Sequence, residues 1–381
     1  MELALLPAPA QAGSTRRILE DQRTGSSVYG HVHTHTQAHR DGHAGGQKET
    51  RYNGSATRQA ASGNNGVTEV LFSVMTDGHA NRTLLVANQK GGVGKSSIVA
   101  AVAGMVAAAN RRVLVVDADQ QANVSTSDLG VAGDRGRSLA MALQYAEPLQ
   151  PVRDVRPGLD VIPGGASLAL VGAMAATAAQ TGMDLRANLE VTLNDLCQRE
   201  NYDLVLIDSG PGDAPLLDAL LVTARYLLVP TRDDDASLSG VEMLAARYLR
   251  AKASGSRVEL LGVVLFDVNP RATARNAEIV SQVAQLLEGS GADAFESIIR
   301  SDRAASVDLR TRHITPGELV KVADQHQKHR IAQLRKKVGG GERLWSRDPS
   351  GLANDYQDLT REILNRIRAA EQVTVRSGGV A

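Results

Sequence analysis

The sequence predicts an α/β fold, a doubly wound and mostly parallel sheet with helices on both faces. Short apolar runs typical of buried strands alternate with longer helical stretches from about residue 82 onward, which is the pattern of a parallel sheet covered by helices. Three of these runs end in a glycine loop or in acidic residues. Because ligands of such sheets bind at the carboxyl ends of the strands, we expect one core domain, residues 81–372, with its site at that edge.

The first 80 residues differ in kind from the rest of the chain. They are rich in Gly, Ser, Thr, Gln and His and contain few apolar runs, so they cannot bury enough surface to offset the entropy of ordering. We therefore predict a disordered, low-complexity arm over residues 1–80. Its histidines form a tract at His31, His33, His35, His39 and His43. Since no cysteine or carboxylate shell accompanies them, a solvated tract is favoured over a metal site.

A predicted strand, Thr83–Asn88, leads into the glycine-rich loop KGGVGKSS and a helix rich in Ala and Val. This order is that of a phosphate-binding loop, in which backbone N–H groups and the helix N-terminus surround phosphate oxygens. Lys95 is placed for the β- and γ-phosphates and Ser96 for Mg²⁺. Gly91, Gly92 and Gly94 let the backbone N–H groups close around the phosphate oxygens.

A second lysine, Lys90, opens this loop five positions before Lys95. An ordinary phosphate-binding loop has no role for it. Its place at a strand-to-loop corner also fits an exposed lysine without a function.

Acidic residues lie at the ends of two further predicted strands. Asp117 and Asp119 end the run Arg112–Asp119, and Asp208 ends the run Tyr202–Asp208. Residues i and i+2 share one face of a strand, and nucleotide enzymes place an acid at such a strand end to hold Mg²⁺, usually through water. One such acid alone is more often a strand-end cap. Three of them behind a phosphate-binding loop predict a magnesium nucleotide site.

Four segments together carry a family resemblance: ANQKGGVGKSS (87–97), VLVVDADQQAN (113–123), YDLVLIDSGPG (202–212) and LLVPT (227–231). Over about residues 82–370 the chain resembles the ParA/MinD group of deviant Walker A ATPases, and the ParA partition proteins more closely. The first two segments are specific to that group, whereas the other two are general strand patterns. The resemblance implies ATP and Mg²⁺ as ligands.

The same resemblance implies roles for the lysines. In that family the additional lysine reaches across a nucleotide-sandwiched dimer to the phosphates of the other subunit, and this role falls on Lys90. A cation supplied in trans stabilises charge that develops on the transferring phosphoryl group. Lys95 is implied to hold the β- and γ-phosphates, and Ser97 to contact the α-phosphate. The ATP-binding residues predicted in this way are Lys90, Gly91, Gly92, Val93, Gly94, Lys95, Ser96 and Ser97.

The resemblance also assigns the acids. Asp119 matches the family residue that positions the attacking water, which makes it the third predicted catalytic residue beside Lys90 and Lys95. Ser96 is implied to ligate Mg²⁺. Asp117 and Asp208 match acids that support the metal through its water shell.

The loop after Asp119 departs from the family pattern Asp-Pro-Gln-Gly-Asn. Gln120 stands where the family has Pro, Ala122 stands where it has Gly, and the following Ser/Thr stretch is one residue longer. Since glycine reaches positive φ and alanine ordinarily does not, we expect positive φ to be lost at Ala122. This loop is expected to sense the γ-phosphate, so a protein that binds ATP without hydrolysing it is one alternative.

The formal net charge of the 381 residues is zero, so overall charge neither favours nor disfavours binding of nucleic acid. The evidence has to come from local clusters of basic residues. One basic cluster closes a predicted helix and its loop, and a second lies in a predicted basic insertion at about 321–350. The candidates for DNA contacts are Arg247, Arg250, Lys252, Arg257, Lys328, Arg330, Arg335, Lys336 and Lys337. For each cluster an ordinary solvated helix face is the alternative.

The resemblance predicts an ATP-dependent partition protein. ATP closes a homodimer that binds DNA without sequence preference, and a ParB-like centromere-binding protein stimulates weak, Mg²⁺-dependent hydrolysis, which segregates a plasmid or chromosome. The predicted location is cytoplasmic and nucleoid-associated, without integral membrane association. The single cysteine, Cys197, excludes disulfides within the chain, and the longest apolar run, 98–109, is too short to span a membrane.

Other members of the superfamily provide the alternatives. A MinD-like positioning ATPase would end in a basic amphipathic helix that lies on the membrane. Here the final helix, around Tyr356–Ala370, carries an apolar stripe suited to docking on its own core, and a flexible tail is predicted at 373–381. Electron carriers of this superfamily need paired cysteines, and its tyrosine kinases need a C-terminal tyrosine cluster. The sequence has neither.

Overall fold

A computed structural model describes residues 82–181, 183–336 and 344–378 and confirms the predicted fold class. Eight strands among these residues form one sheet: β1 Thr83–Val86, β2 Val113–Ala118, β3 Val152–Arg156, β4 Leu159–Ile162, β5 Leu204–Ser209, β6 Tyr226–Thr231, β7 Glu259–Val268 and β8 Asp293–Arg300. Their order across the sheet is β3-β4-β2-β5-β1-β6-β7-β8. All neighbours are parallel except β3 and β4. The carboxyl ends of β2, β5 and β1 therefore lie side by side.

Helices flank the sheet within the described part of the chain: α1 Lys95–Ala108, α2 Arg137–Tyr145, α3 Leu168–Thr181, α4 Leu185–Glu200, α5 Ala214–Thr223, α6 Asp235–Ala253, α7 Thr273–Leu286, α8 Arg303–Arg312, α9 Pro316–Lys336 and α10 Ser350–Gly378. A short π-helix, Asn123–Asp128, follows β2. Strands and helices alternate along most of the chain, as the sequence predicts.

Side chains that alternate along the strands divide the core into two layers. Leu85 faces the layer to which α2 through α7 contribute, whereas Leu84 and Val86 face the layer built with α1, α8, α9 and α10. The sheet is thus covered on both faces. This explains why its strands are continuous apolar runs in the sequence rather than alternating ones.

The last helix docks on the core through the stripe that the sequence shows. Leu359, Ile363, Leu364 and Ile367 are at most 2% exposed. The helix runs to Gly378, so residues 373–378, which the sequence assigns to a flexible tail, have a helical backbone. Among the described residues, no helix is both long and apolar enough to cross a membrane.

Helix α9 begins with a reciprocal cap. Thr315 N–H donates to Glu318 Oε2 at 2.6 Å, and Glu318 N–H donates to Thr315 Oγ1 at 3.3 Å, which is a capping box. The helix extends through residue 336, so the first half of the predicted basic insertion continues a regular helix. Lys328 is exposed on it.

The remaining basic candidates of that segment are placed only in part. Arg330, Arg335 and Lys336 belong to the backbone of α9. Lys337 lies outside the described residues, as does the predicted N-terminal arm with its histidine tract.

Candidate functional site

The loop between β1 and α1 places glycine where a side chain is excluded. Gly92 and Gly94 have φ angles of 77° and 90°, in the left-handed region that glycine adopts without strain. The ring of Phe266 lies against Gly94 and leaves no space for a Cβ there. Helix α1 starts at Lys95, and no described side chain caps it. Its first N–H groups therefore remain available to an anion.

Lys95 lies inside this loop and is 6% exposed. Its Nζ donates to the carbonyl oxygen of Lys90 at 3.1 Å. Burial lowers the pKa of Lys95, and the nearby carboxyls of Asp208 and Asp119 oppose that shift. A phosphate in the loop would supply the counter-charge that a buried ammonium group needs.

Lys90 combines a fixed backbone with an exposed side chain. Its N–H donates to Asn88 Oδ1 at 2.8 Å, and Asn88 Nδ2 donates to the carbonyl oxygen of Pro230 at 2.8 Å. Asn88 itself is 1% exposed. The loop corner is therefore tied to the end of β6, while the ammonium group of Lys90 stays at the rim of the site.

Strands β2 and β5 bring two of the predicted acids together. Asp117 and Asp208 are register partners and have no exposed surface. Asp208 Oδ2 accepts from Ser96 Oγ at 2.6 Å, and Asp117 Oδ2 accepts from the N–H and Oγ of Ser125 at 2.9 and 2.5 Å. Within the described part of the chain, Asp208 Oδ1 is buried without a hydrogen-bond donor.

These buried carboxyls have raised pKa values. Burial raises the pKa of Asp117 to about 6, against the opposing hydrogen bonds from Ser125. Burial and then the charge of Asp117 raise the pKa of Asp208 well above its usual range. A divalent cation beside them would favour the charged forms. Because the donorless Asp208 oxygen and the Ser96 hydroxyl are hard oxygen groups of the kind Mg²⁺ or its waters prefer, the residues present fit a magnesium ion.

The third acid, Asp119, follows β2 at the same edge of the sheet and is 5% exposed. Its Oδ1 accepts from the N–H of Gln121 at 2.9 Å. The backbone after β5 approaches this oxygen closely, since a Cβ on Gly210 would stand 3.0 Å from it. Asp119 also lines a cavity together with Asp213. The structure thus brings all three predicted acids to the edge that carries the glycine loop.

The expectation that Ala122 loses positive φ is wrong. Ala122 has a φ of 52°. Its N–H donates to the carbonyl oxygen of Asp119 at 3.1 Å, and its own carbonyl accepts from the N–H and Oγ1 of Thr126 at 2.9 and 2.6 Å. These bonds hold an alanine in a conformation that costs an L-residue about 1–2 kcal/mol. The segment is therefore strained at this position.

The additional residue of the Ser/Thr stretch coincides with a π-helix, Asn123–Asp128. A π-helical turn takes up one more residue than an α-helical turn, and such turns are frequent at functional sites. Ser125 reaches Asp117 from within it, and its last residue, Asp128, accepts from Arg310. The longer segment thus contacts the acid of β2 through Ser125.

Arg310 is a site residue that sequence reasoning missed. Its Nε donates to Asp128 Oδ1 at 3.2 Å, and its Nη2 donates to Ser97 Oγ at 3.3 Å. With Gly94 and Phe266 it lines a cavity of about 500 Å³, a size typical of small-molecule sites. No spacing in the sequence could show that this arginine of α8 meets the glycine loop.

The basic candidates of α6 and of the loop after it divide into two kinds. Arg247 Nη1 donates to both carboxylate oxygens of Asp218 at 2.8 and 2.9 Å, so its charge is already paired. Arg250, Lys252 and Arg257 are exposed, and none of them takes part in an ion pair of the described residues. Within this cluster, these three are the candidates whose charge is available to a polyanion.

The glycine loop, the two lysines and the acids at the strand ends define a P-loop ATPase with a deviant Walker A loop. Comparison with known proteins agrees with this class. A family model described as an AAA domain matches residues 81–257. The chain is 34% identical over 190 residues to the chromosome-partitioning ATPase Soj of Thermus thermophilus, which covers 48% of this chain and 68% of that protein.

Two further comparisons point the same way. The chromosome partitioning protein ParA of Caulobacter vibrioides is 35% identical over 192 residues, again 48% of this chain and 68% of that protein. The ATP complex of a Cyanothece McdA variant has a similar fold, with a TM-score of 0.55 and 18% identity over 70% of this chain and 100% of that chain. The chain belongs to the ParA family of partition ATPases.

Proposed function

We propose that this protein is an ATP-dependent DNA partition protein whose ATP-bound form is a sandwich dimer. The contrast between the two lysines carries the proposal. Lys95 is buried in its own loop, whereas Lys90 is fixed by its backbone and extends an exposed side chain from the rim. An exposed cation at this position is available to the phosphates that a second copy binds.

Each site residue then has a role in hydrolysis of ATP to ADP and phosphate. Lys95 and the backbone N–H groups of residues 91–97 hold the phosphates, and Ser97 contacts the α-phosphate. Ser96 would ligate Mg²⁺, and Asp117 and Asp208 would support the ion through its water shell. Bound there, the ion would neutralise phosphate charge. The ATP in the McdA complex supports this choice of nucleotide.

The catalytic steps fall to Lys90 and Asp119. Asp119 orients the attacking water and accepts its proton, which suits a carboxylate at the same edge as the glycine loop. Lys90 of each subunit stabilises the charge on the phosphoryl group bound by the other subunit. Hydrolysis therefore requires both copies.

The dimer binds DNA without sequence preference through exposed cations, and a ParB-like partner stimulates hydrolysis. The names of the Thermus and Caulobacter relatives support a role in partition. The DNA contacts rest on Arg250, Lys252, Arg257 and Lys328, whose side chains are exposed. A MinD-like function has less support, because the apolar stripe of α10 is used by the core.

The test is the nucleotide dependence of dimerisation in Lys90→Ala and Lys90→Gln. With ATP and Mg²⁺, wild type is expected to dimerise in light-scattering chromatography, and both variants are expected to remain monomeric with turnover at least about tenfold lower. Their affinity for ATP as monomers should match wild type. Lys252→Ala, which removes an exposed lysine away from the loop, is the matched control and should dimerise normally.

A strictly monomeric wild type at saturating Mg-ATP would falsify the proposal. DNA binding is tested separately by filter binding in a salt series with ATP. Affinity should fall with salt with a log–log slope of about 0.9 per phosphate neutralised. Absence of binding at low salt would remove the DNA role while leaving the dimer in place.

A further inference from the structure

Three hydrogen bonds hold the loop corner that carries Lys90, residues 88–90. Asn88 bonds to Lys90 N–H and to the carbonyl oxygen of Pro230, each at 2.8 Å, and Lys95 Nζ bonds to the carbonyl oxygen of Lys90 at 3.1 Å. These contacts fix both backbone polar groups of Lys90. The direction in which its side chain leaves the loop is therefore set by this corner.

Helix α6 packs against this corner at Gly240. A Cβ on Gly240 would lie 3.1 Å from Lys90 Cβ, 3.2 Å from Lys90 N and closer still to Asn88 Oδ1. Real Cβ atoms almost never approach other atoms to under 3.0 Å. To make room, the buried Asn88 side chain would have to shift and strain its hydrogen bond to Pro230.

Helix α6, by contrast, cannot easily yield. Its N-terminus is capped by Asp234, which accepts from the N–H and Oγ of Ser237 at 2.9 and 2.8 Å, and Ser237 has no exposed surface. Val241 and Leu244 anchor the next turns in the core. A side chain at Gly240 would therefore displace the loop corner rather than the helix.

Helical propensity gives no reason for glycine at this position. Gly240 lies inside α6 with an ordinary helical φ, since it is not among the glycines with positive φ. Glycine inside a helix is disfavoured relative to alanine by about 1 kcal/mol. The contact with Asn88 and Lys90 is the feature of the described structure that requires it.

We propose that Gly240 is a positioning residue for Lys90. Its missing side chain lets the Asn88–Lys90 corner settle where the Lys90 ammonium group can reach the nucleotide of the second subunit. The inference rests on the proposed function, in which Lys90 acts in trans. It assigns to α6 a part in forming the composite site that the two subunits share.

The test compares Gly240→Ala with Gly317→Ala. Gly317 lies in the first turn of α9, where an added Cβ would meet no described atom within 4 Å, so this control adds the same methyl group to a helix without a clash. Gly240→Ala is expected to bind ATP as a monomer within about threefold of wild type, while ATP-dependent dimerisation and turnover fall about 10- to 100-fold, the effect of a displacement near 1 Å. Gly317→Ala should match wild type in all three.

A double variant shows whether Gly240→Ala acts by misplacing Lys90 or by a general structural defect. Gly240→Ala combined with Lys90→Ala should hydrolyse ATP no more slowly than Lys90→Ala alone, whose residual turnover is the quantity compared. A further loss in the double variant, equal to the loss in the single one, would mean a structural defect unrelated to Lys90 and would overturn the inference. So would a Gly240→Ala protein that dimerises like wild type while Lys90→Ala does not.

If the proposed function is wrong, the result is different: Lys90→Ala itself dimerises normally.

Asn88→Ser provides a second variant should Gly240→Ala not fold, because it releases the same corner without adding a side chain to α6. It is expected to keep monomeric ATP binding and lose dimerisation. Normal dimerisation of Asn88→Ser would count against a positioning role for this corner.

Discussion

Ser96 Oγ donates a hydrogen bond of 2.6 Å to Asp208 Oδ2, although the two residues are 112 positions apart in the chain. This bond joins the first turn of α1 to the end of β5. It leaves the other Asp208 oxygen buried, without a donor in the described structure. The glycine loop and the acids therefore belong to one site.

Asp208→Asn is expected to stabilise the protein without ligands and to abolish its response to Mg²⁺. The substitution removes a buried carboxylate whose pKa is raised by burial and by Asp117, and relief of such a functional strain is worth roughly 1–2 kcal/mol. Thermal melts at neutral pH should show a higher melting temperature for the variant. The stabilisation that wild type gains from Mg-ATP over ATP alone should be absent.

Asp160→Asn is the control for that prediction. Asp160 is also buried, but its oxygens accept from Tyr202 Oη at 2.6 Å and from Asp154 N–H at 2.8 Å. Loss of a satisfied acceptor should lower stability by about 1–3 kcal/mol. Two buried carboxylates are thus expected to respond to the same substitution with opposite signs.

Ala122→Gly is expected to raise stability and to change turnover. The residue has a φ of 52°, and glycine removes the strain of about 1–2 kcal/mol, partly offset by the greater entropy of the unfolded glycine chain. The net gain should be up to about 1 kcal/mol in urea denaturation. Turnover should change because the segment adjoins Asp119.

Ala146 offers a matched comparison, since its φ is 54° and it is exposed at the end of α2. Ala146→Gly should give a similar gain in stability and leave turnover unaltered. If both variants alter turnover alike, the strain at Ala122 has no particular connection with catalysis.

Arg310→Ala is expected to loosen the π-helix and weaken nucleotide binding. The arginine joins Asp128 to Ser97, yet its side chain is 58% exposed, so solvent screening limits the effect to a few-fold loss of ATP affinity. Hydrogen exchange of residues 123–128 should be faster in the variant. Arg361→Ala, which breaks an exposed pair with Asp358, should alter neither measurement.

The triple variant Arg250→Ala, Lys252→Ala and Arg257→Ala is expected to weaken DNA binding and to flatten its salt dependence. If all three cations contact phosphates, the log–log slope should decrease by about 2 to 3 for each subunit of the dimer that lies on the DNA. Arg247→Ala should have little effect on the slope, because that side chain is already paired with Asp218. An unchanged slope in the triple variant would place the DNA contacts elsewhere, with Lys328 of α9 as the next candidate.

Glu362→Gln is expected to lower stability at pH 7 and to have a smaller effect in acid. Burial acts to raise the pKa of Glu362, but hydrogen bonds from Ser297 and Glu296 and the charge of Arg366 outweigh it, so the folded pKa lies below the unfolded value of 4.5. The carboxylate therefore contributes stability above pH 4.5 that is lost as pH falls through the folded pKa. Urea denaturation at pH 7 and at about pH 4 should show the difference from wild type shrinking, whereas Glu288→Gln, at an exposed glutamate, should show little difference at either pH.

Local patterns were sufficient to predict the sheet, the glycine loop and the three acids. Each depends on residues close together in sequence, and the parallel order of β2, β5 and β1 brings their ends to one edge. Contacts between distant segments could not be predicted in this way. Asn88 meets Pro230 across 142 positions and Arg310 meets Ser97 across 213, and no periodicity encodes either pairing.

The error at Ala122 has a related origin. Intrinsic preference disfavours positive φ for alanine, but three hydrogen bonds with Asp119 and Thr126 fix that conformation. The environment overrides a weak local preference. The boundaries at the ends of α9 and α10 are uncertain from sequence for a similar reason, because polar and glycine-containing stretches continue a helix once its apolar side is buried.

Helix α6 touches the Lys90 corner near its beginning and carries Arg250 and Lys252 in its last turn. Its 19 residues span about 28 Å at 1.5 Å per residue. For a straight rod of that length, a rotation of only about 5° at one end moves the other by roughly 2 Å. The charged patch and the phosphate loop consequently cannot shift independently unless the rod bends, which makes the spacing between them a property of a single secondary-structure element.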